Sequence, residues 1–275
     1  MTHRTILTLT LLLLAGCAPA SPPPEADSPT QTQPPPKAPS ATPQPTETEP
    51  AIPEIEAQNV FTFDEMGIAV GFDLPEGFSE AMLTGAAGVY EPNAPYDLPY
   101  PPRAYILFTA NPGDDMKVSG IRVFRVEDIN ALQAGVVENL FAVLEGQADH
   151  HNDFPRLAGA GNLIDAQLTP LDFENGMGYR FLLTKSFSAD PLQNSSMTYM
   201  YQGITDDEKY FVSFIASVEA PFLAQYVNQP LTTVEEFEAF YLKINGEIDA
   251  AGESQFAPSL AVLDALVASV IVIEK

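Results

Sequence analysis

From residue 59 onward, two periodicities take turns along the chain. Phe61-Thr62-Phe63 leads through Asp64-Glu65-Met66-Gly67 into Ile68–Leu74, where apolar residues alternate before Pro75-Glu76-Gly77 ends the run. Period-two alternation on both sides of a short polar turn predicts a hairpin. Ala104–Thr109 is a continuous apolar run bounded by Pro102 and Pro112, and Gly120–Val126 is another. Leu168–Phe173 and Tyr179–Thr184 flank Glu174-Asn175-Gly176-Met177. Asn-Gly between apolar runs predicts a hairpin turn there. Pro170 lacks an N–H, which places its strand at an edge or a bulge. Met197–Gly203 and Lys209–Ser217 enclose Asp206-Asp207-Glu208, a second hairpin turn.

Three segments have helical spacing. Asp128–Glu145 places Ile129, Leu132, Val136, Leu140, Val143 and Leu144 on roughly one face. Thr233-Val234-Glu235-Glu236 has the form of a capping box, and Val234, Phe237, Tyr241, Ile244 and Ile248 follow as the inward side. Pro258 is placed for the first turn of a last helix with Leu260, Leu263, Leu266 and Val267 inward, and Val270–Ile273 adds a final strand. Antiparallel strand pairs with helices in the middle and at the end predict an α+β fold: an antiparallel sheet flanked by helices, an α/β/α sandwich.

The first 58 residues follow neither pattern. His3 and Arg4 precede an apolar run from Ile6 to Leu14, too short to span a bilayer, which needs about 20 apolar residues. A basic start, a short apolar core and small residues after it describe a secretory signal peptide. The run ends Leu14-Ala15-Gly16-Cys17, which resembles the lipobox of bacterial lipoproteins. The resemblance implies cleavage before Cys17 and a diacylglyceryl group on its thiol. Residue 18 is Ala rather than Asp, which resembles an outer-membrane sorting signal in double-membraned bacteria. Pro19 to Pro53 holds 13 of the 26 prolines, and no aromatic residue occurs before Phe61. Such a stretch buries too little apolar surface to offset its chain entropy, so a disordered tether is expected. Forty residues of polyproline II would reach at most roughly 120 Å. The expected organisation is therefore a signal peptide over 1–16, a lipidated Cys17 with its tether over 17–58, and one globular domain over 59–275.

Two further resemblances concern the domain. Gly67-Ile68-Ala69-Val70-Gly71-Phe72-Asp73-Leu74-Pro75-Glu76-Gly77-Phe78 resembles the opening of PsbP-like domains: a turn glycine, an apolar strand, then Pro-x-Gly-aromatic. That family implies an antiparallel sheet between helices and a role in binding or assembly. The blocks Phe173–Phe181, Tyr201–Asp207 and Lys209–Ser213 are similar to uncharacterised secreted bacterial lipoproteins, a likeness that brings no activity with it.

Charge and composition narrow the chemistry. Twelve Lys and Arg stand against 37 Asp and Glu, a formal charge of −25. Nucleic-acid affinity rests on Lys and Arg displacing counterions, so nucleic acid is not an expected partner. One cysteine excludes an intrachain disulfide and any multi-Cys metal site. His150 and His151, in Asp149-His150-His151-Asn152-Asp153, are the histidines beyond the signal peptide, and no Gly-x-Ser-x-Gly elbow is present. His150, His151 and Asp153 form a weak metal or acid–base candidate, because adjacent residues rarely converge on one ion. Asp206 and Asp207 are weak calcium candidates, since no stretch has the alternating oxygen ligands of an EF-hand loop. The long Tyr- and Pro-rich segment from Val89 to Arg103 is the favoured binding loop, with Tyr90, Tyr96, Tyr100 and Arg103 as contact residues. No cofactor is expected.

These observations lead to the expectation of an envelope lipoprotein, anchored through the lipid on Cys17 and facing the extracytoplasmic side. Its domain would bind a protein or small molecule or assist assembly. The alternatives are a hydrolase or metal-dependent enzyme using His150 or His151 with nearby carboxylates, and a calcium-stabilised surface module.

Overall fold

The computed structural model describes residues 55–78, 83–89, 99, 101–109, 118–148, 154 and 159–275. The expected lipidation site Cys17, the loop residues Tyr90, Tyr96 and Tyr100, and His150, His151 and Asp153 lie outside them. The fold is α+β. β1 (Asn59–Phe63) and β2 (Ile68–Phe72) form the predicted opening hairpin, and β3 (Leu83–Ala87), β4 (Arg103–Thr109) and β5 (Val118–Arg125) follow. Next come α1 (Val126–Leu132), α2 (Val136–Leu144) and the long strands β6 (Gly161–Pro170), β7 (Gly176–Ser186), β8 (Ser196–Thr205) and β9 (Tyr210–Glu219). α3 (Val234–Ala250), α4 (Leu260–Ala268) and β10 (Ile271–Glu274) complete the chain.

Seven strands form one antiparallel sheet in the order β3-β4-β5-β9-β8-β7-β6, and β1-β2-β10 form a smaller one. Strand alternation gives the large sheet two apolar faces. Ile106, Val123, Val212, Phe214, Tyr199 and Leu182 point into a core shared with α3, α4 and the small sheet. Phe124, Phe211, Ile204, Tyr179 and Phe181 point the other way, into a core shared with α1 and α2. A sheet buried on both faces explains why these strands read as near-continuous apolar runs.

The sheet edge at β6 is closed by α3. Asp165 N–H donates to Asn245 Oδ1 at 3.1 Å, and Gln167 N–H donates to Asp249 Oδ1 at 2.6 Å. Gln167 sits in a register shift between Ala166 and Thr169 with φ +58°, and its side-chain amide donates to the Ile248 carbonyl at 2.7 Å. One bulge residue thus caps the C-terminus of α3, whose last carbonyls have no helical donor. Pro170 lies in this edge strand just past the bulge, as its missing N–H requires.

Four local expectations need correction. The helix expected over 128–145 breaks in two at Gly135, whose φ of +90° is open to glycine at little cost. The turn between β6 and β7 is Glu174-Asn175, closed by reciprocal backbone hydrogen bonds between Phe173 and Gly176, so Gly176 begins the strand instead of ending the turn. Thr233 Oγ1 accepts the Glu236 N–H at 3.2 Å as expected, but the Glu236 carboxylate reaches back to Thr232 and not to Thr233. Val234, assigned to the inward side of that helix, is 67% exposed, and Phe240 is buried in its place. The short strand β3 adds an element that the hydrophobic pattern does not predict.

Candidate ligand-binding face

Register lets the α1–α2 side of the large sheet be read row by row. Arg103, Phe124, Phe211, Ile204 and Met177 form one row across five strands. Tyr105, Arg122, Ser213, Gln202 and Tyr179 form the next, followed by Leu107, Gly120, Ile215, Met200 and Phe181. Beyond them Ser217, Thr198 and Leu183 line up, and Ser196 pairs with Glu219 at the far end.

The first row is packed by α1, α2 and Phe154. Phe154 is fully buried, edge-on to Phe124 at 5.0 Å and to Phe211 at 5.6 Å between ring centroids. Phe154, which follows Asp153 directly, is thus fixed on this face. The second row carries polarity into the core. Tyr179 O–H donates to Gln202 Oε1 at 3.3 Å, and Gln202 Nε2 donates to the Phe154 carbonyl at 3.3 Å. Burial pushes the Tyr179 phenol well above its ordinary value, with the Asp165 carboxylate adding to the shift.

At the far end the face is open and polar. A depression of about 500 Å³ is lined there by Lys185, Ser196, Thr198 and Ser217, with Met200 and Ile215 among its apolar residues. Its described lining contains one cation and no carboxylate, in a domain with 31 acidic and ten basic residues over 59–275. Burial lowers the Lys185 ammonium below the usual lysine value. None of these rim residues stands out in the sequence.

The sequence-derived candidates fall elsewhere. Arg103 begins β4, half-buried beside Phe124, and Gln133 at the end of α1 donates its amide to the Pro99 carbonyl at 2.8 Å. This docks Pro99 against the end of α1. Three rows and three strands separate Arg103 from Thr198, roughly 25 Å at ordinary strand spacings. Arg103 and the depression are therefore separate places on one face.

Asp206 and Asp207 occupy the β8–β9 turn. Asp207 Oδ1 accepts the Thr205 hydroxyl at 2.6 Å and the Lys209 N–H at 3.1 Å. Burial raises the Asp207 carboxyl, but these hydrogen bonds and the Lys209 charge outweigh it and hold it below its ordinary value. Asp207 thus works inside its own turn. Among the described residues, no group of three or more His, Cys, Asp or Glu is placed to hold a metal ion.

A second recess, of about 420 Å³, opens next to this turn and is lined by Arg125, Asn130, Lys209, Tyr210 and Glu274. Glu127 and Glu208 also line it, and its Lys209 and Glu274 charges are paired. Glu274 accepts Lys209 Nζ at 2.6 Å and the Tyr210 hydroxyl at 3.1 Å, while Arg125 donates to the Met66 carbonyl at 3.0 Å. The recess is a clasp joining β10 to the β8–β9 turn and the β1–β2 turn.

No family model matches the chain, and no curated protein matches it. Among the described residues, no helix is long and apolar enough to cross a membrane.

Proposed function

We propose that this protein is a lipid-anchored extracytoplasmic binding module. In this reading the signal peptide ends at Gly16, Cys17 carries the acyl anchor, residues 18–58 are the tether, and the domain offers one sheet face to a ligand. The observation that carries the binding role is the depression at the far end of that face. Small-molecule sites are concave, mostly apolar, and carry a few convergent polar groups. Lys185 with three strand hydroxyls beside Met200 and Ile215 has that composition at about 500 Å³. The lining groups come from β7, β8 and β9, inner strands of the seven-stranded sheet, which give them a rigid base. The likeness of Gly67–Phe78 to the PsbP-like opening agrees with a binding role.

The anchor is supported by the lipobox-like Leu14–Cys17 and by charge. A formal −25 repels anionic headgroups, so attachment would rest on acyl chains, each buried methylene contributing about 0.8 kcal/mol. Cells expressing the full chain should incorporate labelled palmitate into a membrane-fraction protein. Cys17→Ser should abolish the label and shift the protein out of that fraction. Label retained in Cys17→Ser would refute the anchor. For the binding role, ligands found by thermal shift on the full chain should be lost in Thr198→Trp, which fills the depression. Ligands that bind this variant unchanged would place binding elsewhere.

A further inference from the structure

We propose that the recess between the β8–β9 turn and the start of α1 binds a free basic α-amino acid, its carboxylate on Arg125 and its two cationic groups on Glu127 and Glu208. The site is separate from the depression at the far end of the sheet and does not rest on it.

Register builds the recess. Arg125 pairs with Tyr210 across β5 and β9, and the Val126 N–H donates to the Lys209 carbonyl at 2.9 Å. The next residue outward on each chain is an exposed glutamate, Glu127 on α1 and Glu208 on the turn. Both line the same hollow of about 420 Å³ as Arg125.

The charges there divide into a paired set and an open set. Lys209 Nζ meets Glu274 at 2.6 Å and Asp207 at 3.6 Å, and the Tyr210 hydroxyl also donates to Glu274. Glu274, the carboxylate that would compete with a ligand for Arg125, is thereby held by other partners. Arg125 donates one N–H to the Met66 carbonyl at 3.0 Å and forms no ion pair with a described carboxylate. That bond orients the guanidinium and leaves the rest of its planar fork for a ligand carboxylate. Glu127 and Glu208 form no ion pair with a described cation. One cation and two anions without counter-charges therefore face one hollow. A basic α-amino acid carries the complement, one carboxylate and two cations. Asn130 adds an amide to the same lining that can donate to the one and accept from the others.

The field of the domain agrees. Ten basic against 31 acidic residues over 59–275 give a formal −21, which favours a ligand of net positive charge. The guanidinium separates this ligand from a simple diamine, which an acidic surface attracts without Arg125. Charges beyond about 10 Å are screened at 0.1 M salt, so contacts inside the recess decide between the two.

The test titrates the full-length chain carrying Cys17→Ser calorimetrically with lysine, arginine, norleucine, cadaverine and Nα-acetyl-lysine at one fixed salt concentration. Norleucine lacks the second cation and cadaverine the carboxylate. The acetyl compound, a stand-in for a peptide C-terminus, lacks the α-ammonium. Lysine and arginine should bind about fivefold more tightly than each of these three, the effect of one partly exposed ion pair. Arg125→Gln should weaken lysine by about the same factor without weakening cadaverine, and Glu127→Gln and Glu208→Gln should each weaken lysine similarly. If Arg125→Gln fails to fold by circular dichroism, Glu208→Gln, in an exposed turn, decides together with the ligand series. Cadaverine binding as tightly as lysine overturns the proposal, because that needs only an acidic surface. Norleucine or Nα-acetyl-lysine binding as tightly overturns it as well, because one of the two glutamates is then idle. Lysine binding unchanged in folded Arg125→Gln or in Glu208→Gln, or no binding of lysine and arginine at all, has the same force. Thr198→Trp should leave lysine binding intact. If it removes that binding, the ligand sits in the far depression, and this site fails while the binding-module reading stands.

Discussion

Arg180 Nε lies 3.3 Å from Asp264 Oδ1, an ion pair that ties the middle of β7 to α4 inside the main core. Arg180 also donates Nη1 to the carbonyl and to Oε1 of Gln167, at 2.9 and 3.0 Å. Asp264 Oδ1 accepts the Tyr199 hydroxyl at 2.7 Å. Burial raises the Asp264 carboxyl, while Tyr199 and Arg180 pull it back. Removing one member of a buried pair leaves an uncompensated charge, typically at a cost of about 3–5 kcal/mol. Asp264→Ala should therefore lower stability by about 3 kcal/mol in urea unfolding. Arg180→Met with Asp264→Leu should recover most of that, because a well-packed apolar pair often matches a buried ion pair. A double variant no more stable than Asp264→Ala would show that Arg180 works chiefly through Gln167.

Much of this architecture is legible in the sequence. The long strands read as near-continuous apolar runs, and Pro170 marks its own edge. What escapes has physical reasons. β3 is Leu-Thr-Gly-Ala-Ala, too small and too poor in β-branched residues to register as a strand. The break at Gly135 lies within an unbroken helical periodicity and shows only in its left-handed backbone. Val234 has the right spacing, yet it opens the first turn of α3, beyond the reach of the sheet. The depression is hidden more deeply. Ser196, Thr198 and Ser217 alternate with Met197, Tyr199 and Val218, as solvent-facing residues do, and only register places them beside Lys185. The Tyr- and Pro-rich loop stands out by composition, which carries no information about register.

Gly178 and Gly203 face each other across β7 and β8, and the Tyr201 hydroxyl lies over both on its way to the Leu171 carbonyl at 3.2 Å. A Cβ on Gly178 would meet the Gln202 carbonyl and stand 2.6 Å from Gly203 Cα, backbone atoms that cannot swing aside. Gly178→Ala should cost about 2–3 kcal/mol, the range for overpacking. Gly246, exposed in α3, has open space where a Cβ would stand, with nothing within 4 Å. Gly246→Ala should instead stabilise by about 0.8–1 kcal/mol through helix propensity. Urea midpoints for the two variants should move in opposite directions, and equal shifts would count against this reading of the β7–β8 contact.

Acid should loosen the clasp at the end of the sheet. Hydrogen bonds from Lys209 and Tyr210 hold the Glu274 carboxyl below its ordinary value, and Lys275 does the same for Asp64. Asp207 is also lowered. Such groups contribute stability that is present above their unfolded values, about 4, and lost as pH falls through their lower folded values. Asp264 acts in the opposite sense. Its raised value favours the folded state below the unfolded pKa, and that contribution is lost as pH rises through the folded one. Thr232 holds the Glu236 carboxyl low as well, and four lowered carboxyls against one raised among the described residues predict a net loss of stability from about pH 5 downward. Urea midpoints between pH 5 and 3 should fall, and Glu274→Gln should make the decline shallower. A decline of unchanged slope in that variant would mean that Glu274 does not report on the clasp.

Ser213 and Gln202 are register partners on β9 and β8, both buried, with opposite expectations. Ser213 Oγ has no hydrogen-bond partner among the described residues. A buried hydroxyl without a partner costs free energy, so its removal leaves little to lose. Ser213→Ala should be neutral or stabilising by up to about 1 kcal/mol. Gln202 is the hinge between the Tyr179 hydroxyl and the Phe154 carbonyl. Gln202→Leu removes both hydrogen bonds, a loss of about 1–3 kcal/mol for a buried group left unsatisfied. Hydrogen exchange should show faster opening near Phe154 in Gln202→Leu and no change in Ser213→Ala. Because Phe154 packs on Phe124 and Phe211, that opening should spread to the strand ends beneath α1 and leave the Lys185 end of the sheet protected. Equal exchange across both ends would mean that the face opens as one unit and that the row holding Gln202 does not divide it.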